Sequence, residues 1–338
     1  MASFLTAFDA QLVEYLEQLQ ELQDKNRQQQ LFQPTFWLQR SDFDVAREVF
    51  VGASEAIGHT VTKFSLVCSK TPSKEEGASI CEALANPCKQ LLAATTVALF
   101  CGTGPSLATE IINDVVRLIK SVHNLAKTIE KGDLTHVPQL TGRVWEYSTS
   151  RVSKSNCVAS KRSMLQCITI LNSTIDELKE LLENEEGNSQ VTALDEVEQD
   201  NEFGFDSSLT EEERSLFQSG LTLLSMCAAI MKRGVLTIKK LTISNDQDAF
   251  LKWTARLDVS YTMAQDAIVD FGAALYPPIG TDELSEAVRE LETSATAILM
   301  CLKETPELEV TEEDALRVGE AAFVKQIITV KSQIEVSQ

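Results

Sequence analysis

Glycine and proline are scarce, 14 and 8 residues in 338, and most sit between periodic segments. Few positions therefore interrupt a helix, while Leu, Ala, Glu, Lys and Gln, the good helix formers, are abundant. A sheet is not expected. Eight cysteines (Cys68, Cys81, Cys88, Cys101, Cys157, Cys167, Cys227, Cys301) include no Cys-x-x-Cys pair. Several lie on apolar faces as small hydrophobes, and a reducing compartment follows. The three histidines, His59, His123 and His136, are far apart, and none has a second ligand at a recognised metal spacing. There is no Gly-x-Ser-x-Gly elbow. Gly102-Thr103-Gly104 resembles part of a phosphate loop, but no strand precedes it and no Gly-Lys-Ser/Thr follows, so it reads as a turn. No catalytic residue, cofactor or metal is expected, and the chain reads as no enzyme. Met1 to Gln20 carries acidic groups without a basic run, and no uninterrupted apolar run reaches spanning length. Neither a signal peptide nor a membrane partner is expected.

Positive charge is missing altogether between Glu183 and Glu213, where twelve acidic side chains stand without a Lys or Arg. The formal charge of −20 is concentrated there. A chain so short of cations lacks the broad phosphate-neutralising surface of a nucleic-acid binder, and direct nucleic-acid contact is not expected. With one sign of charge and little to bury, the stretch does not repay the entropy of ordering. At 338 residues the chain also exceeds the size at which a single core stops growing. The expected fold is all-α: two antiparallel helical bundles joined by an acidic, largely disordered connector. The boundaries are residues 1–184 for a bundle of five or six helices, 185–209 for the linker, and 210–338 for a four-helix bundle.

Apolar residues recur at helical spacing throughout. In the first helix Leu5, Phe8, Leu12, Leu16 and Leu19 form one stripe, and the sevenfold step Leu5, Leu12, Leu19 is too short to decide for a free-standing coiled coil, so bundle packing is the expectation ahead of it. This stripe is the candidate partner-binding site, since a terminal helix leaves a bundle most easily. Helix two is read as facing inward through Val45, Val49, Ala53, Ala56, Ile57, Thr60, Phe64 and Val67. Ser73 with Glu76 forms a capping box. Pro105 opens the fourth helix, which Lys131-Gly132 closes. Val144-Trp145 belongs to a short helix, and Asn156 is placed as the cap of the next. Thr210 with Glu213 repeats the capping box. The last helix is read inward through Leu316, Val318, Ala322, Ile327, Ile328 and Ile334. Paired acids Glu75-Glu76 and Glu312-Glu313 suit first turns, where they complement the helix dipole. The cluster Lys232, Arg233, Lys239 and Lys240 reads as a solvated face before it reads as a site for an acidic partner or the connector.

Several segments occur together in order: Phe36-Trp37, Thr60 to Val67 leading to Thr71-Pro72-Ser73, Val144-Trp145, the connector ending in Phe203-Gly204-Phe205, and Ala274-Leu275-Tyr276-Pro277-Pro278. In that order and spacing the chain resembles the cyclin-D-binding proteins, a family also described as cyclin-D-interacting and helix-loop-helix-like. The resemblance implies a non-enzymatic, all-helical regulator, cytoplasmic and nuclear. Such a regulator binds D-type cyclins, lowers cyclin-dependent phosphorylation of the retinoblastoma protein and restrains cell-cycle progression. It also implies sequestration of helix-loop-helix-type transcription regulators without DNA contact, consistent with the lack of a basic run before any helix. The alternative is a structural or cytoskeletal helical-bundle adaptor, with the acidic connector as spacer.

Overall fold

A computed structural model describes residues 3–28, 40–101, 103–191, 209–240, 247–305 and 310–336. Among these residues there are ten helices and no strand, which bears out the all-α reading. They are α1 (Ser3–Arg27), α2 (Arg40–Cys68), α3 (Lys74–Phe100), α4 (Pro105–Glu130), α5 (Val137–Ser148), α6 (Asn156–Val191), α7 (Glu211–Lys240), α8 (Gln247–Ala274), α9 (Thr281–Lys303) and α10 (Val310–Val336).

The punctuation falls where local chemistry puts it. Ser73 accepts from the Glu76 N–H at 3.2 Å while Glu76 accepts from the Ser73 N–H at 3.1 Å. This capping box satisfies two donors that α3 would otherwise leave open. Thr210 and Glu213 make the same reciprocal pair at 2.9 and 3.2 Å, starting α7. Pro105 sits in the first turn of α4, and after that helix Gly132 turns the chain at φ 76°, a conformation that favours glycine. Asn156 behaves otherwise than expected. Its carboxamide oxygen accepts from Gly104 N–H at 2.6 Å, and Ser155 caps α6 by accepting from Val158. Pro87 lies within α3 and is buried there; it leaves the Ala83 carbonyl without its helical donor, yet the helix continues.

The chain divides into two compact units, Met1–Ser160 and Lys161–Gln338. In the first, α2 and α3 pack most closely, α1 lies on α4 and α3, and α5 lies on α2 and α4. Phe8, Leu12, Ile57, Phe64, Leu84, Leu91, Val115, Ile119 and Val122 fill its core. In the second, α8 packs on α9, α10 lies on α7 and α9, and Trp253, Tyr261, Phe217, Phe271 and Phe323 are fully buried. Tyr261 donates its hydroxyl to the Met231 carbonyl, and a Cβ at Gly234 would overlap that hydroxyl. The absence of a side chain at 234 is what lets α8 approach α7 there.

The division differs from the boundary expected at 184. It falls just after the first turn of α6, whose Cys167 donates to Gln265 at 3.2 Å and whose Thr174 lies against Gly272 of α8. The second unit therefore includes α6 as well as α7 to α10. The acidic composition marks the end of the α6 stripe, not the edge of the body that buries it. Helix α6 also runs to Val191, well into the expected linker. The remainder of that linker to Ser208, like Phe36-Trp37 and Phe203-Gly204-Phe205, lies outside the described residues.

Candidate functional site: an exposed apolar face on the first unit

The five stripe residues of α1 lie in the core. Leu12 and Leu19 are wholly buried, Phe8 and Leu5 nearly so, and Leu16 packs half-buried against the same cluster. Phe8 meets Phe64 with ring centroids 5.6 Å apart. Polar contacts fasten the helix along its length: Thr6 donates to Glu130 at 2.8 Å, Gln23 to Asn113 at 3.3 Å, and Asn26 to Thr109 at 2.9 Å. Asp9 Oδ1 and His123 Nε2 stand 3.0 Å apart, but their alignment is too poor for a hydrogen bond. Burial of His123 outweighs the attraction of Asp9, holding its pKa below the usual 6.5. Releasing α1 would expose several large side chains, each worth roughly 1.5–3 kcal/mol of burial. The terminal position of α1 therefore does not make it easy to detach.

Helix α2 shows a second departure. Its buried residues include Phe43, Ala46, Phe50, Ala53, Ile57, Val61 and Phe64, whereas Val45 is 59% and Val49 44% exposed. The inward reading of both valines is thereby corrected. Two apolar rows run along this helix, and the core takes the one with the phenylalanines. Leu66 and Trp145 are exposed on the same unit, at 62% and 48%.

Local packing places Trp145 outward. Val144 beside it is wholly buried, which sets the rotation of α5. The Ser65 and Thr141 hydroxyls share a hydrogen bond of 2.7 Å across α2 and α5. At the far end of α5 a Cβ on Gly58 would overlap the Ser148 hydroxyl, so glycine permits the approach. Between these two points the Trp145 Nε1–H donates to Thr62 Oγ1 at 3.0 Å, and His59 meets the indole edge-on, ring centroids 6.5 Å apart. The indole is thus held in one orientation with half its surface in solvent. Leu66 follows Thr62 by one turn. A fixed, half-exposed tryptophan has the make-up of a protein-docking anchor.

Chemistry of other kinds finds little support. Among the described residues no group of three or more His, Cys, Asp or Glu could hold a metal. The eight cysteines are free thiols. Burial pushes Cys88 and Cys227 up to about 12 and Cys167 to about 11, far from a nucleophilic thiolate at neutral pH. Cys68 and Cys81 are hydrogen-bonded to one another, which lowers the first and raises the second. His136 contacts Asp133 at 2.9 Å just before α5. Arg233 pairs with Glu312 in the first turn of α10 at 3.2 Å, while the side chains of Lys239 and Lys240 lie outside the described residues. Residues Glu211–Ile238 of α7 are long and apolar enough to cross a membrane by length and composition. In this fold Leu216, Phe217, Leu223, Leu224, Cys227 and Met231 of that stretch are buried in the second unit.

Residues 50–184 match the family model described as "Grap2 and cyclin-D-interacting, N-terminal". A search of the curated proteins finds no match. The matched segment contains His59, Thr62, Leu66 and Trp145, and begins just after Val49. Over residues 50–184 the chain is thus similar to the N-terminal part of the cyclin-D-interacting family.

Proposed function

We propose that the protein is a non-enzymatic adaptor that binds a D-type cyclin through the α2–α5 surface centred on Trp145, and that this binding restrains cell-cycle progression. The observation that carries the reading is the indole itself. It lies within the segment matched by a cyclin-D-interacting family model, is fixed by Thr62 and His59, and remains half exposed. Anchors of this kind contribute most of the affinity of protein interfaces. The surface is open without any rearrangement, whereas docking through Leu5, Phe8, Leu12, Leu16 and Leu19 requires α1 to leave the core. Helix-loop-helix-type regulators form a second proposed partner class, held without DNA contact in cytoplasm and nucleus. The chain's acidity and its lack of a basic run support that half of the reading.

Titration calorimetry with a purified D-type cyclin tests the site. Trp145→Ala and Leu66→Asp should each weaken binding at least tenfold with the helical circular dichroism unchanged, since losing a central tryptophan costs about 2 kcal/mol or more. Unaltered affinity in both folded variants removes the surface from the mechanism.

A further inference from the structure

Helices α2 and α3 pack most closely in the first unit and are joined by the largely exposed turn Ser69 to Ser73, which makes them a hairpin. Burial and then the Asp42 carboxylate raise the Cys101 pKa, so the start of α2 lies beside the end of α3 and the pair is antiparallel. At the turn end stand two cysteines. Cys68 closes α2, and Cys81 lies about two turns into α3; both belong to the core cluster, 7% and 5% exposed. Their thiols meet across the hairpin, the Cys81 S–H donating to the Cys68 sulfur. Two thiols in contact on antiparallel neighbours need little backbone movement to be bridged. Elsewhere Cys167 donates to Gln265, and Cys301 lies 3.7 Å from the Ser260 hydroxyl.

The two sulfurs are mounted differently. The capping box fixes the start of α3, and the Phe4 ring of α1 lies over Gly77, where a Cβ would overlap it. Cys81, one turn later, is therefore on a held helix. Cys68 stands at a helix end that closes with Ser69 N–H on the Ser65 carbonyl and Lys70 N–H on that of Val67, at 3.0 and 3.2 Å. Such an end opens locally at low cost, which admits a small oxidant to a buried sulfur. The shared hydrogen bond also holds the Cys68 thiol below its usual pKa and raises that of Cys81, whereas burial pushes Cys88, Cys101, Cys167 and Cys227 up. Cys68 is thus the attacking sulfur.

We propose that Cys68 and Cys81 are a redox pair, which hydrogen peroxide closes into a reversible disulfide that staples the end of α2 to α3. The Cys68 sulfur attacks one peroxide oxygen; the O–O bond breaks, water leaves and Cys68 becomes a sulfenic acid. The Cys81 sulfur then displaces the hydroxyl, which departs with the Cys81 proton as a second water, and the S–S bond forms. The two thiols together give up two protons and two electrons, and one peroxide becomes two waters. Excess thiol such as glutathione restores both cysteines by exchange. The proposal is independent of the reading of the Trp145 surface.

The test exposes the reduced full chain to a small excess of hydrogen peroxide at neutral pH. The remaining thiols are then blocked with N-ethylmaleimide, and tryptic peptides are mapped by mass spectrometry with fragmentation. The expected product is a Cys68–Cys81 cross-link at least tenfold more abundant than any other disulfide and removed by dithiothreitol. Cys81→Ala should abolish it and leave a Cys68 sulfenic acid that dimedone traps, while Cys88→Ala should leave the cross-link intact. Amide exchange at Leu66 to Lys70 should slow at least fivefold on oxidation and recover on reduction. Absence of the cross-link, disulfides scattered among several cysteines, or unchanged exchange in the cross-linked chain overturns the proposal.

Discussion

The terminal helices α1 and α10 read alike in sequence, each with an apolar stripe and charged residues between, yet the fold treats them oppositely. Every large stripe residue of α1 is spent on the core or packed against it. Helix α10 buries one row and leaves Val318, Val324 and Ile328 in solvent. Three residues read as inward, Val318, Ala322 and Ile328, are in fact exposed. The difference teaches that helical periodicity locates apolar rows but does not say which row meets the core. Where there is one row, as in α1, the answer is forced. Where there are two, neighbouring helices decide, and the surplus row becomes surface.

The largest effect that would break this comparison comes from the same kind of substitution made at both ends. Leu12→Asp with Leu19→Asp places two carboxylates at wholly buried positions, each at a cost of several kcal/mol, and should unfold the first unit. Loss of the cooperative thermal transition of that unit is the expected readout; a fully stable variant would mean that α1 is not a core helix. A middle-sized effect follows from His123. Its folded pKa is depressed, so the unfolded chain binds more protons between that value and 6.5. The contribution of neutral His123 is complete above its ordinary value and is lost as pH falls through 6.5 toward the folded value. The carboxylate of Asp9 moderates this loss by attracting the proton, and Lys127 adds to it. The protection of α1 amides, relative to their intrinsic exchange rates, should therefore fall as pH drops through 6.5 while that of α10, which has no histidine, shows no such change, and His123→Gln should flatten the α1 response. The smallest effect belongs to Val324→Asp with Ile328→Asp, which should alter stability by about 0.5 kcal/mol or less per site. A loss comparable with the α1 variant would show that this row is not surface.

The helix count, the caps at Ser73 and Thr210, the proline start of α4 and the glycine end at Gly132 are all legible in the sequence, because each depends on chemistry within a few residues. The inward rows of α4 and α9 are also legible, since those helices have a single apolar face. Helix α2 is not: Val45 and Val49 compete with Phe43, Ala46 and Phe50, and only the arrival of α3 and α5 settles the rotation. The membership of α6 is hidden for a similar reason. Its stripe ends at the acidic run, which reads as a boundary, but Gln265 of its partner α8 lies 98 residues beyond Cys167 in the chain. Trp145 stands out in the sequence as part of a motif. Its exposure does not, because Val144 and Trp145 differ only in which of two adjacent positions the core accepts.

The Tyr261 contact has a consequence for surface geometry. Its phenol meets the Met231 oxygen across bare backbone at Gly234, so sliding α7 by one residue against α8 would strand the hydroxyl and drive a Cβ into the ring. That contact sets the axial phase of α7, and α10 takes its own phase from α7 through Gln326 on the Ser219 carbonyl and Gln333 on Ser215. The side chains that α10 shows to solvent are therefore held at fixed stations along its axis.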